Sequence, residues 1–277
     1  MVFNDRVLFL HIGKTGGMSC SEFLLRFLER PVWNCHRDAP TELERLQVDD
    51  VHAVTGINRH CTLAAASRFL EANFHRQVNS FEKVIAVFRH PYSLEYSWYQ
   101  HLRKPLIRAR RQENKALLEL AAGDFETFVI NADHHRPGLT QEKYVLLDGA
   151  PANVVIVRFE SLARDFPRTV ATFLDQKRCA SASPVFPKIN SSRYDGNLEQ
   201  VLTGSVRAAI RAKHSHLFTS GFYAPRVPDL ERKSWSVCAY ALFRWSKPKI
   251  AATSSFCRYQ DGLVAAQCLA DGAKVSD

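Results

Sequence analysis

A lysine set among glycines and followed by hydroxyl side chains occurs at residues 9–19, FLHIGKTGGMS. Residues of these types, at this spacing, can hold an oxyanion. Glycine lets the main chain approach a phosphate closely. The amides at a helix N-terminus point outward and carry partial positive charge. Lys14 adds a mobile cation, and Thr15 and Ser19 add hydroxyl donors. A second anion-binding set lies at 84–99, VIAVFRHPYSLEYSWY. Arg89 can grip a phosphate with two parallel hydrogen bonds, and Ser93 and Ser97, four apart, share one helical face. Each set alone has an ordinary structural reading. The first could be a tight turn between strand and helix, the second a strand-end arginine paired with a surface carboxylate. Each follows an apolar strand.

Gly13-Lys14-Thr15 matches the end of the ATP-binding loop G-x-x-x-x-G-K-[ST]. The earlier glycine would fall at position 8, which is Leu8, inside an apolar run. The loop in its proper form is therefore absent. A kinase-like phosphotransferase using ATP and magnesium stays as the alternative, and a non-catalytic nucleotide- or glycan-binding protein is a third reading.

HIGKTGGMS resembles the H-I-P-K-T-G-G-T-S loop of carbohydrate-type sulfotransferases, the heparan-sulfate type among them. Gly13 stands where that family usually has proline, and Met18 where it often has threonine. Arg89, Pro91 and Ser97 match its second element, R-x-P followed five residues later by serine. VIVRFESLARDFPRTVATFL (155–174) and FPKINSSRY (186–194) are similar to two later segments, so the likeness runs over about residues 6–223. The resemblance implies 3′-phosphoadenylyl sulfate (PAPS) as sulfuryl donor and no metal. It implies a donor site of Lys14, Thr15, Gly16, Gly17, Met18 and Ser19 at the 5′-phosphosulfate and Arg89 and Ser97 at the 3′-phosphate. Ser191, Ser192 and Arg193 would close over the nucleotide. Lys14 would also help the leaving group depart.

An acceptor hydroxyl must lose a proton as it attacks, and a histidine or glutamate within hydrogen-bond reach can take it. The family often has a histidine in a T-G-H pattern after its second strand. In VHAVTGINRHCTL (51–63) that position is Ile57, a departure. His60, three residues on, is the favoured base, with His52, a carboxylate or no base as the other readings. His11 reads as structural, and His134-His135 as a surface loop without a third metal ligand.

These groups need elements to carry them. Arg6–Ile12, Lys83–Arg89 and Asn153–Phe159 are short apolar runs of strand-forming residues, and Val51–Gly56 is a fourth candidate. Helical spacing occupies Ser19–Leu28, Thr62–Phe74, Pro91–Arg103, Phe125–Ala132, Gln141–Leu147, Glu160–Leu174 and Gly204–Phe218, with a basic helical stretch at 103–121; Gln176–Asn190 reads as a loop. Strands alternating with helices predict an α/β fold: a three-layer, P-loop-like domain with a central parallel sheet flanked by helices.

The chain has 277 residues, net charge +9 and seven cysteines, an odd number without a C-x-x-C pair. The length suits one α/β domain, expected at 1–223, with an appendage at 224–277. The positive balance fits an anionic ligand but does not choose it; no nucleic-acid partner is expected. The cysteine pattern and the lack of a recognisable secretory leader lead to the expectation of reduced thiols in a cytoplasmic compartment. Arg103, Lys104, Arg108, Arg110 and Arg111 read as a solvated helix face or as contacts to an acidic acceptor. The acceptor expected from the resemblance is a glycan or glycolipid hydroxyl. The basic, aromatic segment 226–249 could dock on the domain, on a membrane surface or on a partner; docking on the domain is expected.

Overall fold

The computed structural model describes residues 1–110, 114–132, 140–189 and 198–225. The chain begins with β1 (Val2–Phe3), β2 (Val7–Leu10), α1 (Gly17–Phe27), β3 (Val32–Cys35), α2 (Ala39–Leu46), β4 (Val51–Val54) and α3 (Leu63–Phe74). It continues through β5 (Lys83–Phe88), α4 (Pro91–Leu102), α5 (Pro105–Arg110), α6 (Lys115–Ala122) and α7 (Phe125–Asn131). A small hairpin, β6 (Leu146–Leu147) and β7 (Ala150–Pro151), precedes β8 (Val155–Arg158). Helices α8 (Leu162–Val170), α9 (Gln176–Ser181), α10 (Leu198–Val201), α11 (Gly204–Lys213) and α12 (Ser215–Thr219) complete it.

Six strands form one sheet in the order β4-β3-β1-β2-β5-β8. β2 pairs in parallel with β5, β5 with β8, and β3 with β4. β1 runs antiparallel to both β2 and β3. The expected wholly parallel sheet is thus mixed: one reversed strand sits between two parallel sets that point the same way. Consequently the loops after β2, β4, β5 and β8 all emerge at one edge, where open α/β sheets carry their sites.

The sheet is the middle of three layers. Along β2 the side chains alternate: Leu8 and Leu10 enter one core with Leu63, Ala66 and Leu70 of α3, while Val7 and Phe9 enter the other with Phe23 and Leu24 of α1 and Phe166 of α8. Along β5, Val84, Ala86 and Phe88 face the first core and Ile85 and Val87 the second. This two-sided burial is why both strands read as continuous apolar runs. Burying each such side chain contributes about 1.5–3 kcal/mol before entropy is counted. A third cluster joins α4, α6, α7 and α11 through Tyr92, Tyr96, Phe125, Phe128 and Ile210.

Several expectations shift. Gln141–Leu147 is a 3-10 turn at Gln141–Val145 running into β6, not an α-helix. Gln176–Ser181, expected as loop, is helical because Asp175 caps it, accepting from Lys177 N and Arg178 N. Among the described residues Cys20, Cys35, Cys61 and Cys179 are free thiols, and no helix is long and apolar enough to cross a membrane.

Candidate functional site

The loop between β2 and α1 is held in an unusual backbone. Lys14 has φ of 66° and Gly16 of 82°, both left-handed. Left-handed residues on both sides of Thr15 turn the chain sharply between β2 and α1. Thr15 is fully buried and donates its hydroxyl to Ile12 O at 2.9 Å, tying the loop shut. Gly16 caps α1 without a side-chain hydrogen bond, so the first amides of the helix keep no side-chain cap. Two glycines are required by close approach. A Cβ at Gly16 would lie 2.6 Å from Leu162 Cδ2, and one at Gly17 would lie 2.1 Å from His11 Cδ2. Ser19 is buried, and its hydroxyl accepts Ile189 N–H at 3.1 Å, so the chain at Ile189 reaches the glycine loop. Ser191, Ser192 and Arg193 lie outside the described residues.

Arg89 directly follows β5 and lies beside the same loop. Its Nη1 donates to Lys14 O at 3.0 Å and its Nε to Ser93 Oγ at 3.0 Å, while the guanidinium stacks 4.2 Å from the Phe159 ring centroid. The Phe159 ring thus lies beside both Arg89 and Gly16. Burial lowers the Arg89 pKa to about 10, with Glu160 pulling the other way, so it stays cationic at neutral pH. Ser97, one turn beyond Ser93, is 1% exposed, and its hydroxyl has no partner among the described residues. A buried hydroxyl without a partner is costly unless a ligand or water completes it.

The sequence reading missed the residues that fix Arg89. Gln141 clamps its backbone in both directions: Arg89 N donates to Gln141 Oε1 at 2.7 Å and Gln141 Nε2 donates to Arg89 O at 2.8 Å. Glu160 accepts His90 N–H at 2.8 Å and the Tyr223 hydroxyl at 3.2 Å. Glu160 keeps solvent contact as a residue, yet the chain around its carboxyl desolvates it and pushes its pKa up. Tyr223 also donates to Phe88 O at 3.0 Å, and His90 Nε2 lies 3.0 Å from Ala224 O. These contacts carry the described packing as far as Ala224. Position alone signalled Glu160, just beyond β8; nothing local signalled Gln141.

The two candidate bases separate clearly. His60 Nδ1 lies 3.0 Å from His11 O, and the two imidazoles meet edge-on with centroids 4.7 Å apart. A carbonyl can only accept, so Nδ1 is the donor in that contact. His52 lies mid-strand in β4, 5.9 Å from the Trp33 ring and three strands away from β2. It does not approach the loop. His11 is 4% exposed, and burial, then His60, hold its pKa well below the usual value, so it is neutral, as its structural reading requires.

Behind Met18 is a polar network. Arg59 Nη1 contacts Met18 Sδ, and its Nη2 lies 2.8 Å from His36 Nε2 and 3.4 Å from Glu42 Oε2. Asn34 Nδ2 donates to Glu42 Oε2 at 2.9 Å. Burial alone would raise the Glu42 pKa, but the His36 and Asn34 hydrogen bonds and Arg59 bring it down to about 2. Met18 is thus seated by Arg59, the residue before His60. No group of three or more metal-ligating side chains occurs among the described residues, and His134-His135 lies outside them, as does the basic, aromatic segment from 226.

No protein-family model and no curated protein matches the chain. Among solved structures, the crystal structure of a sulfotransferase from Alicyclobacillus acidocaldarius is similar at 18% identity over 76% of this chain and 95% of that one, with a TM-score of 0.27. A score so low establishes no shared fold. The α/β architecture stands on the chain's own strand pairing.

Proposed function

We propose that this chain transfers a sulfuryl group from PAPS to an acceptor hydroxyl. One observation carries the reading: the Arg89 guanidinium is hydrogen-bonded to the Lys14 carbonyl at 3.0 Å, so the two anion grips border one site. The residues fit a bisphosphorylated nucleotide. The left-handed turn at Lys14 and Gly16 and the uncapped start of α1 suit a 5′-phosphosulfate. The cation of Arg89 and the buried Ser97 hydroxyl, without a partner among the described residues, suit a 3′-phosphate. ATP carries no 3′-phosphate, and Leu8 replaces the glycine an ATP loop needs.

PAPS supplies an activated sulfuryl group on a good leaving group. In the transfer, the acceptor oxygen bonds to sulfur as the bond from sulfur to the bridging phosphate oxygen breaks. His60 Nε2 takes the acceptor's proton. Lys14 and the loop amides offset negative charge on the transferring and departing oxygens. 3′,5′-ADP leaves. Gln141, Glu160 and Phe159 touch no reacting atom; they hold Arg89 and Gly16 in place. The acceptor is assigned to a carbohydrate hydroxyl on the resemblance, residues 1–223 are taken as the working unit, and a reducing, cytosolic compartment suits the free thiols.

The test is transfer of radiolabelled sulfate from PAPS into glycan, lipid and small-molecule pools. Lys14→Ala should abolish labelling, and His60→Ala should lower it by roughly 100-fold or more, the usual size of a general-base effect. Labelling that survives Lys14→Ala counts against this site. Stabilisation by ATP and magnesium but not by 3′,5′-ADP favours the phosphotransferase reading. Binding of 3′,5′-ADP with no product across the pools favours the non-catalytic one.

A further inference from the structure

Trp98 lies where an acceptor would need a surface. A Cβ built on Gly13 would be 3.2 Å from Trp98 Cζ2 and 3.9 Å from His60 Nδ1. Indole and imidazole therefore converge on Gly13, next to Lys14. One turn along α4, the His101 ring meets the indole edge-on, with centroids 5.9 Å apart and planes at 74°. Trp98 is only partly buried, although its neighbours Ser97 and Tyr99 are buried. Its ordinary role would be to edge the third apolar cluster, which it does. That role does not explain why the loop keeps a glycine against it, or why Trp98 keeps some solvent contact. Gly13, the departure from proline noted in the sequence, is the residue that gives the indole its room.

We propose that Trp98 is a specificity-determining residue of the transfer reaction: its indole stacks the ring that carries the acceptor hydroxyl and brings that hydroxyl to His60. The inference rests on the sulfuryl-transfer reading and adds the acceptor's chemistry, a hydroxyl on a ring with a flat apolar face. A pyranose and a phenol both offer one. Stacking on an aromatic side chain is worth up to about tenfold in affinity.

The test uses the full chain as wild type, Trp98→Phe and Trp98→Ala, each saturated with 3′,5′-ADP. Three probes are titrated: chitotetraose, an unsulfated uronate-containing tetrasaccharide, and 4-methylphenol. At least one should shift or quench wild-type tryptophan emission, and that change should be missing in Trp98→Phe. With PAPS as donor, KM for that probe should rise about tenfold in Trp98→Ala and less in Trp98→Phe, while the thermal shift given by 3′,5′-ADP stays the same in all three proteins. A saccharide response identifies a pyranose acceptor and a 4-methylphenol response a phenol. The proposal is overturned if 3′,5′-ADP binds but no probe changes the Trp98-dependent emission, or if Trp98→Ala leaves KM unchanged. A wild type that 3′,5′-ADP fails to stabilise overturns the sulfuryl-transfer reading instead, and this one with it.

Discussion

Gly17→Ala should destabilise the protein for a reason that a second mutation reverses. Gly17 opens α1, and its φ is not left-handed, so the backbone would accept alanine. In an exposed helix the change would be neutral or favourable by up to about 1 kcal/mol. Here the new methyl would lie 2.1 Å from His11 Cδ2, 2.3 Å from Nε2 and 2.6 Å from Cγ. The His11 ring is 4% exposed and packed against Phe9 and His60, so it cannot swing into solvent. Overpacking of this kind costs about 1–3 kcal/mol, a fall in Tm of roughly 2–12 °C for a domain of this size. Replacing His11 by alanine removes the obstacle. In the His11→Ala background, Gly17→Ala should therefore be neutral or stabilising by up to about 1 kcal/mol. The assay is a four-protein cycle by chemical denaturation, where contacting residues show a coupling of about 0.5–3 kcal/mol. If Gly17→Ala costs the same with and without the His11 ring, the imidazole is not what keeps residue 17 a glycine.

The buried Glu42 gives a pH prediction. Its folded pKa of about 2 lies below the ordinary 4.5, so its contribution is complete above about pH 4.5 and is lost as pH falls through about 2. The shift corresponds to a stabilisation of order 3 kcal/mol at neutral pH. Glu42→Gln should remove that acid-dependent part, read as a flatter stability profile between pH 5 and 2 in urea melts; an unchanged profile refutes the assignment. Thiol chemistry gives another prediction. Burial pushes the Cys35 thiol up to about 12 and raises Cys20 and Cys61. Brief iodoacetamide treatment at pH 8 should label the partly exposed Cys179 before these three, as read by peptide mass spectrometry, and early labelling of Cys20, Cys35 or Cys61 would contradict their burial.

What could be read from the sequence was local. β2, its glycine loop and α1 followed from an apolar run, a punctuating turn and helical spacing within twenty residues. β5, Arg89, Pro91 and α4 followed in the same way, with Pro91 in the first turn and His90 capping it by accepting Tyr92 N–H. What escaped was non-local or too short to carry a period. β1 is two residues long, and β3 is Val-Trp-Asn-Cys, whose Asn34 is buried only because Glu42 accepts from it. The reversal of β1 inside the sheet is a property of pairing, which no single segment encodes. The meeting of the two grips depends on a hydrogen bond spanning 75 positions, and the Gln141 clamp on one spanning 52. His60 and His52 were both open choices because only the order of strands separates them: β4 lies at the sheet edge, while the turn before α3 comes back to His11 O. The α9 helix could have been read, since Asp175 before Gln-Lys-Arg is a capping signal.

The central claim is that Lys14 and Arg89 serve two phosphates of one nucleotide. Titration calorimetry with 3′,5′-ADP and with 5′-AMP tests it most directly. The wild type should prefer 3′,5′-ADP by roughly 10- to 100-fold, the worth of one charge-assisted grip. Ser97→Ala should cut that preference, Arg89→Ala should abolish it, and Lys14→Ala should weaken both ligands alike. Equal affinity of the wild type for the two nucleotides, or a preference that survives Arg89→Ala, would contradict it.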